Sequence, residues 1–203
     1  MVRIVTEADV RARMALSNDL LGVTATIESA LTAAHLRIET EYGSRLAYGV
    51  GDDTFYLDSV IHNGVRPGGM FRLELKHGFV RDAPVVVETA FSQNSLWANP
   101  AEPIANTSVT VDAERGIVYV PESYQNRYVR IQYEYGFKDD EGDLAPDWLK
   151  EAILAYVPVV FNFSNPGNND PKQEKMNRQS GDHALAILAP YTRNIGFCLR
   201  PVY

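Results

Sequence analysis

Between Tyr128 and Leu154 the chain changes its apolar period from two to three and a half. Val129, Ile131, Tyr133 and Tyr135 alternate with Arg130, Gln132 and Glu134, which is the signature of a half-buried strand ending at Gly136. After the acidic stretch from Lys138 to Asp143, Pro146 opens a helix whose stripe is Leu149, Ile153, Tyr156 or Val157, and Val160. Asp147 stands at the positive end of that helix, and Pro158 is expected to kink or end it. One fold must therefore hold both a sheet and a helix packed on something else, joined by a short solvated loop.

The same change of period, in reverse, occurs near residue 48. Thr6, with Glu7 and Asp9, marks the start of a short first helix ending near Leu16, by an approximate capping box. Ile27, Leu31, Ala34, Ile38 and Tyr42 then recur at helical spacing, with Thr24 or Thr26 as the cap and Gly43 as the C-terminal stop. From Gly49 onward the period is two. Residues 54–61, 71–75 and 84–91 read as strands, and 109–111 with 117–120 as a hairpin around 112–116. Arg66-Pro67-Gly68-Gly69 reads as a turn, and 95–107, interrupted by Pro100 and Pro103, as a long loop. About six strands predict a small antiparallel sandwich or barrel-like sheet. Residues 164–171 read as a linker, and a last helix runs from Asp182 to Ala189, stopped by Pro190. The tail from Thr192 has no helical period and reads as extended.

The expected fold class is thus α+β: a discontinuous helical core of about four helices, 1–48 and 145–203 with the extended tail, into which a β domain at 49–144 is inserted. Two separated helical segments must meet if either is to bury its stripe.

Charge narrows the functions available. The net charge of −7 lies in the middle of the chain: residues 51–144 hold 15 acidic against 8 basic side chains, against 6 and 5 before them and 5 and 6 after. A protein that grips nucleic acid needs a basic patch, and none is visible. One cysteine, Cys198, excludes an intrachain disulfide framework and reads as a small apolar residue. The beginning MVRIVTEADV has no apolar leader and no stretch reaches the length of a membrane helix, so a soluble protein made in the cytoplasm is expected.

Chemistry leaves little trace. Asp139, Asp140, Glu141 and Asp143 are dense enough to suggest a Ca²⁺ loop but lack EF-hand spacing, and a solvated loop is the better reading. His35, His62, His77 and His183 fall on different elements without metal-ligand spacing. Phosphate-loop, dinucleotide and nucleophile-elbow motifs are missing, and a dispersed Ser/His/Asp triad has no positive sign. The expectation is a protein that is not an enzyme and takes no cofactor or metal. Trp97, in the Pro/Asn-rich loop, reads as packing over the sheet, with a partner or carbohydrate contact as the alternative.

Three segments, in order, carry a family resemblance: ESALTAAHLRIETEYGS, then VRIQYEYGF with PDWLKEAIL, then Ala189-Pro190-Tyr191-Thr192-Arg193. Together they resemble the head-to-tail connector (adaptor) proteins of tailed bacteriophages over about half of the chain. The chain departs from that pattern at Pro158 and in a longer β insertion. The resemblance implies a homo-oligomeric, twelve-fold ring in the virion neck, between capsid and tail. Its partners would be the portal protein and a downstream neck or tail protein, with DNA as passive channel cargo and no membrane. Trp148, on the first turn of the Pro146 helix, reads as core or subunit interface, and the apolar tail with Arg193, Phe197, Arg200 and Tyr203 either docks on the portal or a neighbouring subunit or packs on its own domain; with Leu149, Pro190 and Tyr191 these are the candidate interface residues. The rival reading is a β-sandwich module on a helical base that binds carbohydrate or a host surface.

Overall fold

A computed structural model describes residues 4–16, 22–58, 65–66, 69–81, 85–98, 102–104, 108–138, 144–163 and 171–192. Five α-helices lie among them: α1 (Glu7–Arg13), α2 (Thr24–Tyr42), α3 (Gln93–Ala98), α4 (Asp147–Phe163) and α5 (Pro171–Leu188). The strands are β1 (Gly49–Tyr56), β2 (Val65–Arg66), β3 (Met70–Glu74), β4 (Val86–Ala90), β5 (Glu102–Pro103), β6 (Thr110–Asp112), β7 (Ile117–Pro121) and β8 (Tyr128–Tyr135). The class is α+β. The chain divides into two compact units, one of residues up to 43 with those from 137 to 192, the other of residues 44–136.

In the helical unit, α1 begins with a complete capping box. Asp9 N–H donates to Thr6 Oγ1 at 3.3 Å, and Asp9 Oδ2 accepts from the Thr6 N–H at 2.8 Å. Arg11, almost wholly buried, pairs with Glu7 and donates to Thr24 Oγ1 at 3.1 Å, while Thr24 donates to Glu7 at 2.9 Å. This explains a departure from expectation. Thr24 does not cap α2, whose N-cap is Val23 without a side-chain bond, because its hydroxyl is committed to α1. Gly43 closes α2 as expected, at φ 79° and with its N–H on Glu39 O, a conformation that would strain any residue bearing a Cβ.

Two helix boundaries differ from the sequence reading. Pro158 lies inside α4, which runs on to Phe163. Leu149, Ala152, Ile153, Ala155 and Val157 of α4 are buried, and each large apolar side chain so placed contributes roughly 1.5–3 kcal/mol. That outweighs the roughly 3 kcal/mol a helical proline costs. Helix α5 starts at Pro171, not Asp182. Gly181 in its middle packs against α4, with the Val159 and Tyr156 side chains 3.7 and 4.0 Å from where a Cβ would stand.

The β unit is a two-layer sandwich, not a closed barrel. One sheet has the order β1-β8-β4-β5 and the other β2-β3-β7-β6, every pairing antiparallel. Phe55, Val87, Val129 and Ile131 of the first sheet and Phe71, Leu73, Val118 and Val120 of the second form one shared core. The alternation seen in β8 places its odd residues in that core and its even ones on the opposite face. The hairpin around 112–116 forms as expected, as β6 and β7.

Strand β1 starts earlier than its sequence suggests, at Gly49. Both of its glycines lie beneath tyrosines of β8: a Cβ on Gly51 would stand 2.2 Å from Tyr133 Cζ, and one on Gly49 2.5 Å from Tyr135 Oη. The rings fill the space that side chains would occupy, so glycine is required here by room. The expected loop at 95–107 in fact begins within α3, where Ser92 Oγ accepts from Ser95 N–H at 3.2 Å, and also contains β5. Residues 67–68, 139–143 and His62, read above as turn, acidic loop and a lone histidine, lie outside the described residues.

Candidate functional site

Two constellations stand out, one in each unit. In the helical unit Pro146 accepts the first backbone bonds of α4, from Leu149 and Lys150 N–H at 3.0 and 3.2 Å, which fixes Trp148 on the first turn. At the other end of the sequence, Tyr191 N–H and Thr192 N–H both donate to Leu188 O, at 2.8 and 3.0 Å, folding the chain back after α5. The result brings Trp148 and Tyr191 ring to ring, with centroids 4.1 Å apart and planes 2° from parallel. The buried Tyr42, from the last turn of α2, lies 6.0 Å from Trp148 at a tilt of 39°. Such aromatic pairs contribute about 0.5–1.5 kcal/mol each beyond burial. Three helices are thereby tied by one aromatic cluster.

Of the residues singled out from sequence, the structure thus joins Trp148 and Tyr191. Leu149 beside them is fully buried, and Pro190 is exposed on the turn. Arg193, Phe197, Arg200 and Tyr203 lie outside the described residues, as does Cys198.

The second constellation lies on the face of the β1-β8-β4-β5 sheet turned away from the core. Arg130, on the central strand β8, forks onto Asp52 of β1, with Nε to Oδ1 at 2.9 Å and Nη2 to Oδ2 at 2.6 Å. Glu88 of β4 is 3.7 Å away on the other side. The hydrogen bond from Arg130 holds the Asp52 carboxyl below the usual carboxylate range, assisted by the arginine's charge and by Gln132 and opposed by partial burial. The Trp97 ring of α3 covers the guanidinium, 4.1 Å from its centroid. Trp97 thus lies against the sheet, as expected from sequence, but its outer side leaves it 61% exposed. The alternation of β8 put Arg130 and Gln132 on one face in the sequence. Their partner Asp52, 78 residues away, becomes visible only once β1 and β8 are paired.

The histidines stay apart. His35 is buried in α2, and burial lowers its imidazole from 6.5 to about 4. His77 stacks on Tyr135 at 3.9 Å, and His183 is exposed on α5. Between the sheets, buried Asp53 accepts from Tyr133 Oη at 2.8 Å and from Lys76 N–H at 2.7 Å, both at the same oxygen. Tyr133 Oη in turn accepts from His77 N–H at 3.2 Å. This is a structural latch with its polar groups satisfied. Among the described residues no cluster of three or more His, Cys, Asp or Glu side chains is placed to hold a metal ion, and no helix is long and apolar enough to cross a membrane.

No protein-family model and no curated protein matches the chain. Among solved structures, it is similar to a chain in the virion of a native gene transfer agent particle, at 16% identity and a TM-score of 0.46, over 88% of this chain and 91% of that one. It is also similar to a chain in the neck of an empty gene transfer agent particle computed with C6 symmetry, at 15% identity and a TM-score of 0.45, over 87% and 89%.

Proposed function

We propose that the chain is a structural protein of a phage-type particle, a head-to-tail adaptor. Copies would form a ring beneath the portal, extend the DNA channel and dock the neck or tail. The observation that carries this reading is the stack of Trp148 on Tyr191. The second and third segments of the sequence resemblance, PDWLKEAIL and APYTR, are about forty residues apart, and they meet there. Motifs that combine into one structural element carry more weight than motifs that only follow one another in order.

In this reading the aromatic cluster sets the end from which the tail departs. Trp148 and Leu149 fix that end from inside, while Pro190, Tyr191, Arg193, Phe197, Arg200 and Tyr203 supply contacts to the portal or to a neighbouring subunit. The acidic middle of the chain suits a channel wall along which DNA slides without adhering.

Electron microscopy of the full chain, alone and mixed with the portal of its own particle, tests the reading. Rings, or a new layer on the portal, are expected. Single copies in both samples would reject it. Deleting residues 194–203 is expected to abolish portal binding, and unchanged binding would remove the tail from the docking role. Negligible DNA binding at low salt is expected as well, and tight binding there would exclude a passive channel wall.

A further inference from the structure

We propose that the open face of the β1-β8-β4-β5 sheet binds a neutral sugar ring, with Trp97 as its aromatic wall. The proposal does not rest on the adaptor reading, since every residue it uses lies within the β unit.

Helix α3 covers only part of this face. Leu96 packs on Ala90 and Tyr128, and Trp97 extends from there over Arg130. The next row across the sheet is Asp52 opposite Gln132 opposite Val86, with Asp52 and Val86 exposed and Gln132 half-buried, and Val50 and Val86 are exposed at 71% and 41%. A shelf of sheet therefore lies beside an exposed indole.

The polar groups on that shelf are fixed before any ligand arrives. Arg130 is held by Asp52 and Glu88, and Gln132 Nε2 donates to Asp52 Oδ2 at 3.3 Å, leaving the Gln132 carbonyl oxygen to accept from a hydroxyl. Donors and acceptors in set positions lower the ordering cost of binding a rigid polyol. An indole offers apolar surface to the C–H face of the same ring.

Charge selects among ligands. Among the described residues, Asp52, Glu88 and Glu134 are ion-paired with Arg130 and Arg81 here, three carboxylates to two guanidinium groups, with Arg81 Nε 3.8 Å from Glu134. Phosphates, nucleic acid and acidic sugars gain little from such a face, because both arginines are already paired with carboxylates. The core of a protein interface is depleted of Asp and Glu, whereas the centre here holds both Asp52 and Glu88 around Arg130. A neutral sugar meets both conditions.

The test applies the full chain to an array of immobilised neutral glucans, galactans and N-acetylglucosamine oligomers, then titrates the strongest binder by calorimetry. Saturable binding is expected. Trp97→Ala should weaken it by about tenfold or more, Gln132→Ala by less, and Trp97→Phe should retain part of it. Because Trp97 is largely exposed, its variants should melt with the parent protein, which separates lost binding from lost folding. No binding across the array, or binding unaffected by Trp97→Ala, would overturn the proposal. So would a change in self-association on sedimentation of Trp97→Ala without any sugar binding, which would make the face a contact between copies. Either result leaves the portal experiment untouched.

Discussion

Replacing His35 by leucine should make the helical unit more resistant to acid, by an amount the structure sets. His35 is 4% exposed among the apolar residues of α2, and burial lowers its imidazole from 6.5 to about 4. Between those two values the unfolded chain binds a proton that the folded chain refuses. Stability therefore rises with pH across this window: the contribution is complete above about 6.5 and lost as pH falls through about 4. At 1.36 kcal/mol for each tenfold, the loss is about 3 kcal/mol. That is a large share of the roughly 5–15 kcal/mol that holds an ordinary domain together. Urea unfolding followed by tryptophan fluorescence reads it, in a Trp97→Phe background where Trp148 reports on the helical unit alone. The carboxylates titrate equally in both proteins and cancel in the difference. The stability of His35→Leu minus that of its parent should grow by about 3 kcal/mol from pH 7 to pH 4, whatever packing offset the substitution adds at neutral pH. A difference that stays flat with pH would refute the claim that burial keeps this imidazole neutral.

Three further outcomes follow from the geometry. A double-mutant cycle on Trp148→Ala and Tyr191→Ala, read by chemical denaturation, should give a coupling of about 1 kcal/mol, whereas additive losses would mean the parallel rings do not interact. Gly51→Ala should destabilise the β unit by about 1–3 kcal/mol in thermal melts, because the Tyr133 ring must move and release Asp53, and an unchanged melting temperature would contradict the packing described. Asp53→Leu should cost more than Asp53→Asn, since leucine leaves both Tyr133 Oη and the Lys76 N–H without their acceptor, a penalty of about 1–3 kcal/mol for each group, while asparagine keeps one oxygen in place. Equal losses would show that water reaches the site.

Where local chemistry decides an element, the sequence sufficed to read it. The capping box at Thr6, the left-handed Gly43, the alternation of β8 and the proline-led start of α4 each depend on residues within one turn or strand of one another. The misreadings have a common origin in contacts made at a distance. In sequence the strand reads from residue 54, because Gly49 and Gly51 offer no side chain to alternate until Tyr135 and Tyr133 of another strand lie over them. The last helix reads from Asp182, beyond Gly181, whose place inside α5 shows only once α4 packs against it, and Pro158 looks like a helix stop until the buried face of α4 is counted. The same holds for the sites. Trp148 was picked out by its place on a helix start, but its stacking partner was fixed by the turn after α5. Arg130 reads as one solvated residue on a strand's polar face until Asp52, Glu88 and Trp97 converge on it.

The pairing of Gly49 with Tyr135 has a consequence for how the chain is threaded. The β unit begins at 44 and ends at 136, and its first and last strands run side by side over their whole length. A Cβ on Gly136, at φ 75°, would stand only 2.4 Å from Ala47 O, so entry and exit touch. Seen from the helices, all that intervenes between α2 and α4 is a tether whose two ends are already clasped. The entropy of closing so long a loop is met inside the sandwich and not by helix packing. Strands, turns and whole hairpins between those ends can lengthen or shorten without parting the ends, so long as β1 and β8 stay paired.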